Sequence, residues 1–267
     1  MRFKDRFVRR YVSCAPLALA LERAYECHIL SQQKFEPPVL DIGCGDGIFA
    51  AVLFDEKISV GVDPDGDELE RACQSGMYHE LILTGAQRIP KADKTFKTIF
   101  ANSVLEHILP IKEVLREARR VLDDEGRMYL TLPTNRFDHY TIVYQALSLV
   151  RLNSIAEEYR RFFNRFWKHY HYYDAKVWQQ LFEECGWTVA SVREYNPQRT
   201  CLLHDSLVPV SIISFVSRKL LGRWFIIPIL RQLYAPLLSL VFSPIVAKNV
   251  EAKDNGGLIF FELRKKK

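Results

Sequence analysis

Residues 39–49 read Val39-Leu40-Asp41-Ile42-Gly43-Cys44-Gly45-Asp46-Gly47-Ile48-Phe49. A short apolar run leads into a turn with three glycines, and a second apolar run follows it. This order predicts a buried strand, a turn whose backbone approaches a ligand closely, and a helix whose free N–H groups point back at the turn. The G-x-G-x-G spacing differs from the G-x-G-x-x-G of pyrophosphate-binding dehydrogenases. The stretch therefore predicts a nucleotide-type binding corner of another kind.

A second strand is predicted at residues 60–63, and it ends in an acid, Asp63. This acid follows the turn by roughly 20 residues, the distance expected of a carboxylate that binds ribose hydroxyls. Asp41 lies inside the end of the first predicted strand, with one residue between it and the first glycine. A carboxylate there repels a pyrophosphate and suits a cationic amino-acid group. A nicotinamide-dependent oxidoreductase remains an alternative, but the glycine spacing and Asp41 both argue against it.

Taken together, these motifs resemble the class I S-adenosylmethionine-dependent methyltransferases, in particular the methyltransferase-11-like group. The matching segments are the glycine turn, Gly61-Val62-Asp63, residues 89–96, Asn102-Ser103-Val104-Leu105-Glu106-His107 and residues 121–126. The resemblance is strong over residues 36–135 and loose over residues 170–200. It implies an enzyme that transfers a methyl group from S-adenosylmethionine (SAM). The alternative function is a non-catalytic module that binds SAM as a scaffold.

Strand, turn and helix patterns alternate from residue 38 to residue 132, which indicates a parallel sheet with crossover helices. The resemblance implies an α/β fold with a Rossmann-like, doubly wound sheet of seven strands, the last of them antiparallel. We expect residues 1–35 to form an N-terminal helical segment. The methyltransferase domain is expected at residues 36–200 and 255–264. An aromatic insertion on the acceptor side is expected at residues 134–173.

By resemblance, the glycines cradle the methionine and ribose portions of SAM, Asp41 holds its ammonium end, and Asp63 takes the ribose hydroxyls. Family members commonly carry an acid for the adenine amino group where this chain has Gly85, so the Ala86 backbone and Gln87 are expected to read the ring instead. The full set of predicted cofactor-binding residues is Asp41, Gly43, Cys44, Gly45, Gly47, Asp63, Pro64, Ala86, Gln87, Asn102 and Ser103.

Three histidines are candidates for the base that takes a proton from the acceptor, because histidine titrates near neutrality. His107 follows the fourth predicted strand, and His169 and His171 lie in the aromatic insertion. Relatives that methylate quinone rings carry E-x-x-E-H at this place and bind a divalent metal. Here Ser103 replaces the first acid of that motif. We therefore expect no metal.

Residues 202–250 do not belong to the minimal fold, and they alternate apolar runs with basic residues. This pattern is typical of helices that lie in a bilayer interface. No charge-free apolar run reaches about 20 residues without a proline, which argues against a spanning helix. The alternatives are burial against the catalytic domain or against a second copy of the chain in a homodimer.

The net charge of the chain narrows the choice of partners, and its cysteines indicate the cellular compartment. The formal net charge of +5 is too small to indicate nucleic acid, and no nucleic-acid motif is present. The six scattered cysteines favour a reducing compartment. We expect a cytoplasmic enzyme, peripheral on the inner face of a membrane, which methylates a small or lipid-linked acceptor, on oxygen rather than on carbon or nitrogen.

Overall fold

The computed structural model describes residues 1–222, 224, 228–248 and 254–266. Its strands are β1 (Val39–Ile42), β2 (Ile58–Asp63), β3 (Tyr78–Leu83), β4 (Phe96–Asn102), β5 (Leu122–Pro133), β6 (Trp187–Pro197) and β7 (Gly256–Lys265). Its helices are α1 (Phe7–Cys14), α2 (Leu17–Ser31), α3 (Ile48–Leu53), α4 (Gly66–Ser75), α5 (Ile111–Val121), α6 (Ile142–Leu149), α7 (Asn153–Phe166), α8 (Ala175–Glu184), α9 (Gln198–Ser206), α10 (Val208–Leu221) and α11 (Pro228–Lys248). Short 3₁₀ turns lie at Leu105–His107 and Asp138–Tyr140.

Within the described residues, all seven strands form one sheet in the order β3-β2-β1-β4-β5-β7-β6. The first five strands run parallel, whereas β7 runs antiparallel to both β5 and β6. The predicted Rossmann-like sheet with an antiparallel last strand is therefore confirmed. β1 lies between β2 and β4, so the strand order reverses beside it. Ligands of open parallel sheets bind at this point, beyond the carboxyl ends of the strands.

Apolar side chains fill both faces of the sheet. On one face α2 packs with Phe35, Phe54 and Phe100, and on the other α5 and α8 pack with Trp178 and Trp187. Ten of the fifteen residues of α2 are buried, so this helix is a core element rather than a surface decoration. The predicted N-terminal helical segment thus forms one wall of the domain.

The segment between β6 and β7 leaves the sheet and returns to it at adjacent positions. Pro197 of β6 is the register partner of Gly256 of β7. A side chain at Gly256 would collide with the Tyr195 carbonyl oxygen, which explains glycine at the point of return. The helices α9, α10 and α11 fill this excursion, and residues 223, 225–227 and 249–250 of the predicted 202–250 insertion lie outside the described residues.

By length and hydropathy, none of the described helices would cross a bilayer alone. The pair Gln198–Ser206 and Val208–Leu221, bent by 55°, passes the same test when taken together.

Candidate active site

The glycine turn between β1 and α3 adopts a backbone conformation that L side chains rarely take. Gly43, Gly45 and Gly47 have φ values of 71°, 51° and 75°. A Cβ at Gly43 would lie 2.5 Å from the Val104 side chain, whereas a Cβ at Gly45 would meet nothing within 4 Å. The turn is therefore tightly packed on one flank and leaves room beside Gly45, which is the shape a cradle for a nucleoside requires.

Asp63, at the carboxyl end of β2, is fixed by the backbone of the turn. Its Oδ2 accepts a hydrogen bond from the Gly45 N–H at 2.9 Å, and its Oδ1 accepts one from Asp65 N–H at 2.9 Å. Burial raises the pKa of this carboxyl. A carboxylate has about four acceptor positions, so two remain for ribose hydroxyls. The residues present therefore fit the sugar of SAM, and their role in binding it stays a prediction.

Asp41, predicted to hold the ammonium group, has a partner inside the protein. Its side chain is 3% exposed, and its Oδ2 accepts a hydrogen bond from the Tyr78 hydroxyl at 2.8 Å. Burial raises its pKa to about 7. Cys44 is buried beside β2, 3.0 Å from where a Cβ of Gly61 would stand, and Pro64 is exposed directly after Asp63.

The segment predicted to read adenine follows β3. Ala86 is buried, and Gln87 is exposed with its amide oxygen 2.5 Å from the place of a Cβ at Gly85. The Gln87 amide thus lies where a side chain at position 85 would begin, the position at which family members commonly carry an acid. This arrangement agrees with the expectation that Gln87 takes over part of the acid's role, which remains a prediction.

A buried carboxylate that the sequence analysis missed organises the carboxyl end of β4. Glu26 of α2 is fully buried and accepts hydrogen bonds from four side chains. The donors and distances are Arg23 at 2.6 Å, Asn102 at 2.7 Å, Ser103 at 3.0 Å and Tyr195 at 3.2 Å. The side chains of Asn102 and Ser103, both predicted cofactor residues, are therefore engaged within the protein. Their backbone carries the predicted contact with SAM.

A cavity of about 350 Å³ opens next to this network. Its walls come from α2, the segment after β4, the aromatic insertion, α9 and α10. The prediction that residues 134–173 line an acceptor pocket agrees with this arrangement. Five aromatic side chains contribute to the walls, namely Phe137, Tyr140, Phe163, Trp167 and Phe215.

Two of the three predicted catalytic histidines line the cavity. The rings of His107 and His169 lie 5.2 Å apart between centroids. His107 Nδ1 lies 3.2 Å from the Lys168 carbonyl oxygen, and His169 Nδ1 lies 3.3 Å from Asn164 Oδ1. Because both partners accept hydrogen bonds, each Nδ1 carries the proton and each Nε2 keeps a lone pair. Burial lowers the pKa of His107, and it lowers the pKa of His169 to about 4.

His171, the third predicted base, is not among the residues that line the cavity. Its Nε2 lies 3.0 Å from the Ile108 carbonyl oxygen, and its Nδ1 lies 3.0 Å from the Tyr173 hydroxyl. Both ring nitrogens therefore have partners within the protein, Ile108 after β4 and Tyr173 in the insertion. A role for His171 as the base stays a prediction, and His107 is better placed for it because it lines the cavity.

Glu106 supplies a second polar group to the same wall. It is 3% exposed, and burial raises its pKa to about 8, so it is protonated near neutral pH. Its Oε1 lies 3.8 Å from His107 Nε2, and its Oε2 has no hydrogen-bond partner among the described residues. Within those residues no group of three or more His, Cys, Asp or Glu is placed to hold a metal ion. Metal independence stays a prediction.

Arg218 connects the excursion to the glycine turn. Its Nη2 lies 3.0 Å from Asp46 Oδ2 in the turn and 2.8 Å from Glu68 Oε2 in α4. The guanidinium also stacks over Trp224 at 5.0 Å from the ring centroid. Through this residue, α10 is held against the segment that forms the predicted cofactor cradle.

Replacing Arg218 by alanine is expected to weaken SAM binding about fivefold, or roughly 1 kcal/mol, because the turn loses its tie to α10. Isothermal titration calorimetry measures this change. Lys219→Ala, which removes the neighbouring exposed cation, serves as the control and should leave the affinity unchanged. Equal affinities for wild type and Arg218→Ala would show that the ion pairs do not support the cradle.

Comparisons with known proteins agree with this geometry. A protein-family profile described as a methyltransferase domain matches residues 9–192. Malonyl-[acyl-carrier protein] O-methyltransferase of Legionella pneumophila is 30% identical over 115 residues, which cover 40% of this chain and 40% of the relative. The matched segment thus spans less than half of that relative.

Solved structures show the same fold. A SAM-dependent methyltransferase from Thermotoga maritima is 15% identical, with a TM-score of 0.57 over 94% of this chain and 92% of that one. A candidate sarcosine dimethylglycine methyltransferase from Galdieria sulphuraria is 18% identical, with a TM-score of 0.53 over 92% of this chain and 84% of that one.

The profile covers more than half of the chain, and it includes the glycine turn, Asp63 and His107. The chain therefore belongs to this methyltransferase family and is a SAM-dependent methyltransferase.

Proposed function

We propose that the enzyme methylates a hydroxyl oxygen of a small or lipid-linked acceptor that enters the aromatic cavity from a membrane surface on the cytoplasmic side. The observation that carries the choice of oxygen is the neutral imidazole of His107 in the cavity wall. Its Nδ1–H is held by a backbone carbonyl, which leaves the Nε2 lone pair for a proton. A hydroxyl needs such a base, since it is a weak nucleophile until its proton is taken.

The protein's part in the reaction follows from the groups around His107. The cavity walls orient the acceptor and exclude water, and His107 Nε2 accepts the hydroxyl proton as the oxygen attacks. The Lys168 carbonyl keeps the ring in the productive tautomer. SAM, bound at the glycine turn, supplies a methyl group activated by the sulfonium.

His169 is less suited to the same task. Its pKa is lowered to about 4, first by burial and then by the neighbouring His107. A base with so low a pKa takes a hydroxyl proton poorly, because catalytic efficiency is greatest when the pKa lies near the operating pH. We assign His169 to shaping the cavity and orienting the acceptor.

The membrane part of the proposal rests on the exposed faces of α10, which lines the cavity, and of α11. On α10 Ile213 is 69% and Leu220 is 74% exposed, and on α11 Leu240 is 73% exposed. The Trp167 ring of the insertion packs on Phe215 of α10 at 6.1 Å, so the cavity wall and the exposed apolar face belong to one structure. An apolar helix face beside basic residues suits the interface of an anionic bilayer.

We expect the protein to float with anionic vesicles at low salt, and the double substitution Ile213→Asp with Leu220→Asp to abolish flotation. Two carboxylates on this face are repelled by anionic head groups and resist burial in the interface. Val192→Asp, which adds a charge on the edge strand β6, is the control and should leave flotation intact. Wild-type protein that stays in the soluble fraction would contradict membrane binding, and a dimeric mass there would favour a homodimer.

The acceptor itself is tested with SAM that carries an isotope-labelled methyl group. We incubate the enzyme with a total lipid extract or an aqueous metabolite extract and analyse the products by mass spectrometry. Label in a methyl ether or ester, recovered mainly from the lipid extract, is the expected result. Label on an amine or on carbon would contradict oxygen methylation, and label confined to the aqueous extract would contradict a lipid-linked acceptor.

A further inference from the structure

The cavity contains a second unpartnered polar group on a different wall from His107. His204 of α9 lines the cavity and is 7% exposed, and its Nε2 is buried without a hydrogen-bond partner among the described residues. Buried polar atoms are nearly always hydrogen-bonded within the protein or to a ligand, because they have lost the hydrogen bonds that water gives to exposed atoms. An orphan nitrogen in the wall of a ligand-sized cavity therefore points to a partner on the ligand.

The imidazole of His204 is held in place and is uncharged. Its ring packs on Tyr25 with 5.7 Å between centroids. Burial lowers its pKa to about 4. A neutral ring nitrogen donates or accepts one hydrogen bond, depending on the tautomer. A hydroxyl group matches it in either case, because a hydroxyl both donates and accepts.

The same face of α9 is polar beyond His204. Thr200 lies one helical turn earlier, is 2% exposed, and has an Oγ1 without a partner in the described structure. The neighbouring Asp205 accepts a hydrogen bond from Ile142 N–H at 2.7 Å and is thus occupied by the insertion. Thr200 is not among the residues that line the cavity, so His204 is the residue of α9 that brings an unpartnered polar atom to this wall in the described structure.

The charges of the cavity restrict what it can hold. Among the described residues that line it, Arg23 is the only Lys or Arg, and Glu26 neutralises it at 2.6 Å. Glu106 and Glu22 carry pKa values raised by burial to about 8 and about 7. A carboxylate or phosphate on the acceptor would find no unpaired cation here, and its desolvation would be uncompensated.

We propose that the acceptor carries no anionic group and has two hydroxyl groups on an apolar body, one methylated at His107 and the other bound by His204. This inference rests on the proposed function, because it takes His107 as the site of reaction. His204 is then a specificity-determining residue. The cavity thus recognises the acceptor at two points, through hydrogen bonds to uncharged histidine side chains.

Three pairs of ring compounds test the inference at increasing hydroxyl spacing: hydroquinone and phenol, 2,6-dihydroxynaphthalene and 2-naphthol, and 4,4′-biphenol and 4-phenylphenol. Binding to the full-length protein saturated with S-adenosylhomocysteine is measured by calorimetry, and methyl transfer from SAM is measured separately. We expect the dihydroxy compound of the pair with matching spacing to bind about tenfold more tightly than its monohydroxy partner. His204→Phe keeps an aromatic ring against Tyr25 and should abolish that preference without weakening the monohydroxy compound.

The outcomes separate the claim that His204 binds a second hydroxyl from the claim that the enzyme methylates oxygen. A tenfold preference that disappears in His204→Phe supports the second binding point, even if no methyl ether forms and the oxygen chemistry fails. Equal binding within all three pairs, no binding of any neutral probe, or a preference that survives in His204→Phe would overturn it, even if methyl transfer is seen. Tighter binding of 4′-hydroxybiphenyl-4-carboxylate than of 4-phenylphenol would also overturn it, since the cavity would then accept an anion.

Discussion

Replacing His107 by glutamine is expected to lower kcat by about 10²- to 10⁴-fold, the range typical of a lost general base. Glutamine keeps a polar side chain of similar reach but cannot take up a proton. KM for the acceptor and the affinity for SAM should change little, because neither depends on the proton transfer. Steady-state kinetics with the acceptor found by mass spectrometry, together with calorimetry for SAM, measures the three quantities.

The pH dependence of the wild-type enzyme checks the same assignment. The pKa of His107 is lowered from 6.5, so the base is already neutral at neutral pH, and activity should fall as the pH drops through that pKa. The pKa of Glu106 is raised to about 8, so above that pH a carboxylate stands 3.8 Å from His107 Nε2 and favours the imidazolium, and activity should not fall there. His171→Gln, with a ring outside the cavity, is the control and should keep the wild-type profile. An unchanged kcat in His107→Gln would exclude His107 as the base.

Replacing Asp63 by alanine is expected to raise the Kd for SAM about 100-fold, or roughly 2.7 kcal/mol. The variant loses the charge-assisted bonds to the ribose hydroxyls, which are worth about 1.5–3 kcal/mol each. It also frees the Gly45 N–H, which Asp63 Oδ2 holds at 2.9 Å, so the turn is less well ordered before binding. Isothermal titration calorimetry with SAM and with S-adenosylhomocysteine gives the affinities.

Asp67→Asn is the matched control, because Asp67 is an exposed acid at the start of α4. Its affinity should stay within about twofold of the wild type. Thermal unfolding of Asp63→Ala in the absence of ligand separates weak binding from loss of fold. A folded Asp63→Ala protein that binds SAM normally would show that the cofactor's sugar lies elsewhere.

The cofactor side of the molecule was predictable because its signals are local. A strand, a glycine turn and an acid after the next strand are contiguous in sequence, and a parallel sheet brings their carboxyl ends together. Asp63 and Gly45 are 18 residues apart, and their hydrogen bond follows from that topology. His107 was chosen for the same reason, since it lies in the 3₁₀ turn that comes shortly after β4.

The acceptor side was only partly predictable because its contacts join distant segments. Glu26 is hydrogen-bonded to Tyr195, which lies 169 residues further along the chain. Arg218 is hydrogen-bonded to Asp46, which lies 172 residues earlier. A signal for the first existed, since Glu22, Arg23 and Glu26 interrupt an otherwise apolar helix and so mark a buried polar contact. Nothing in the spacing of residues 198–222 indicated that His204 faces the cavity, because an amphipathic pattern does not say which neighbour covers a face.

The way in which Pro197 and Gly256 pair has an evolutionary meaning. The segment that carries α9, α10 and α11 begins and ends at two residues that are register partners in the sheet. Its two ends are therefore fixed next to each other, whatever lies between them. Lengthening, shortening or exchanging that segment would leave the order and register of the sheet undisturbed, and the nucleoside cradle would need only the tie that Arg218 makes to Asp46 of the glycine turn. A lineage built on this scaffold is thus able to acquire new acceptors by swapping a single module, while the inherited machinery for handling SAM is kept.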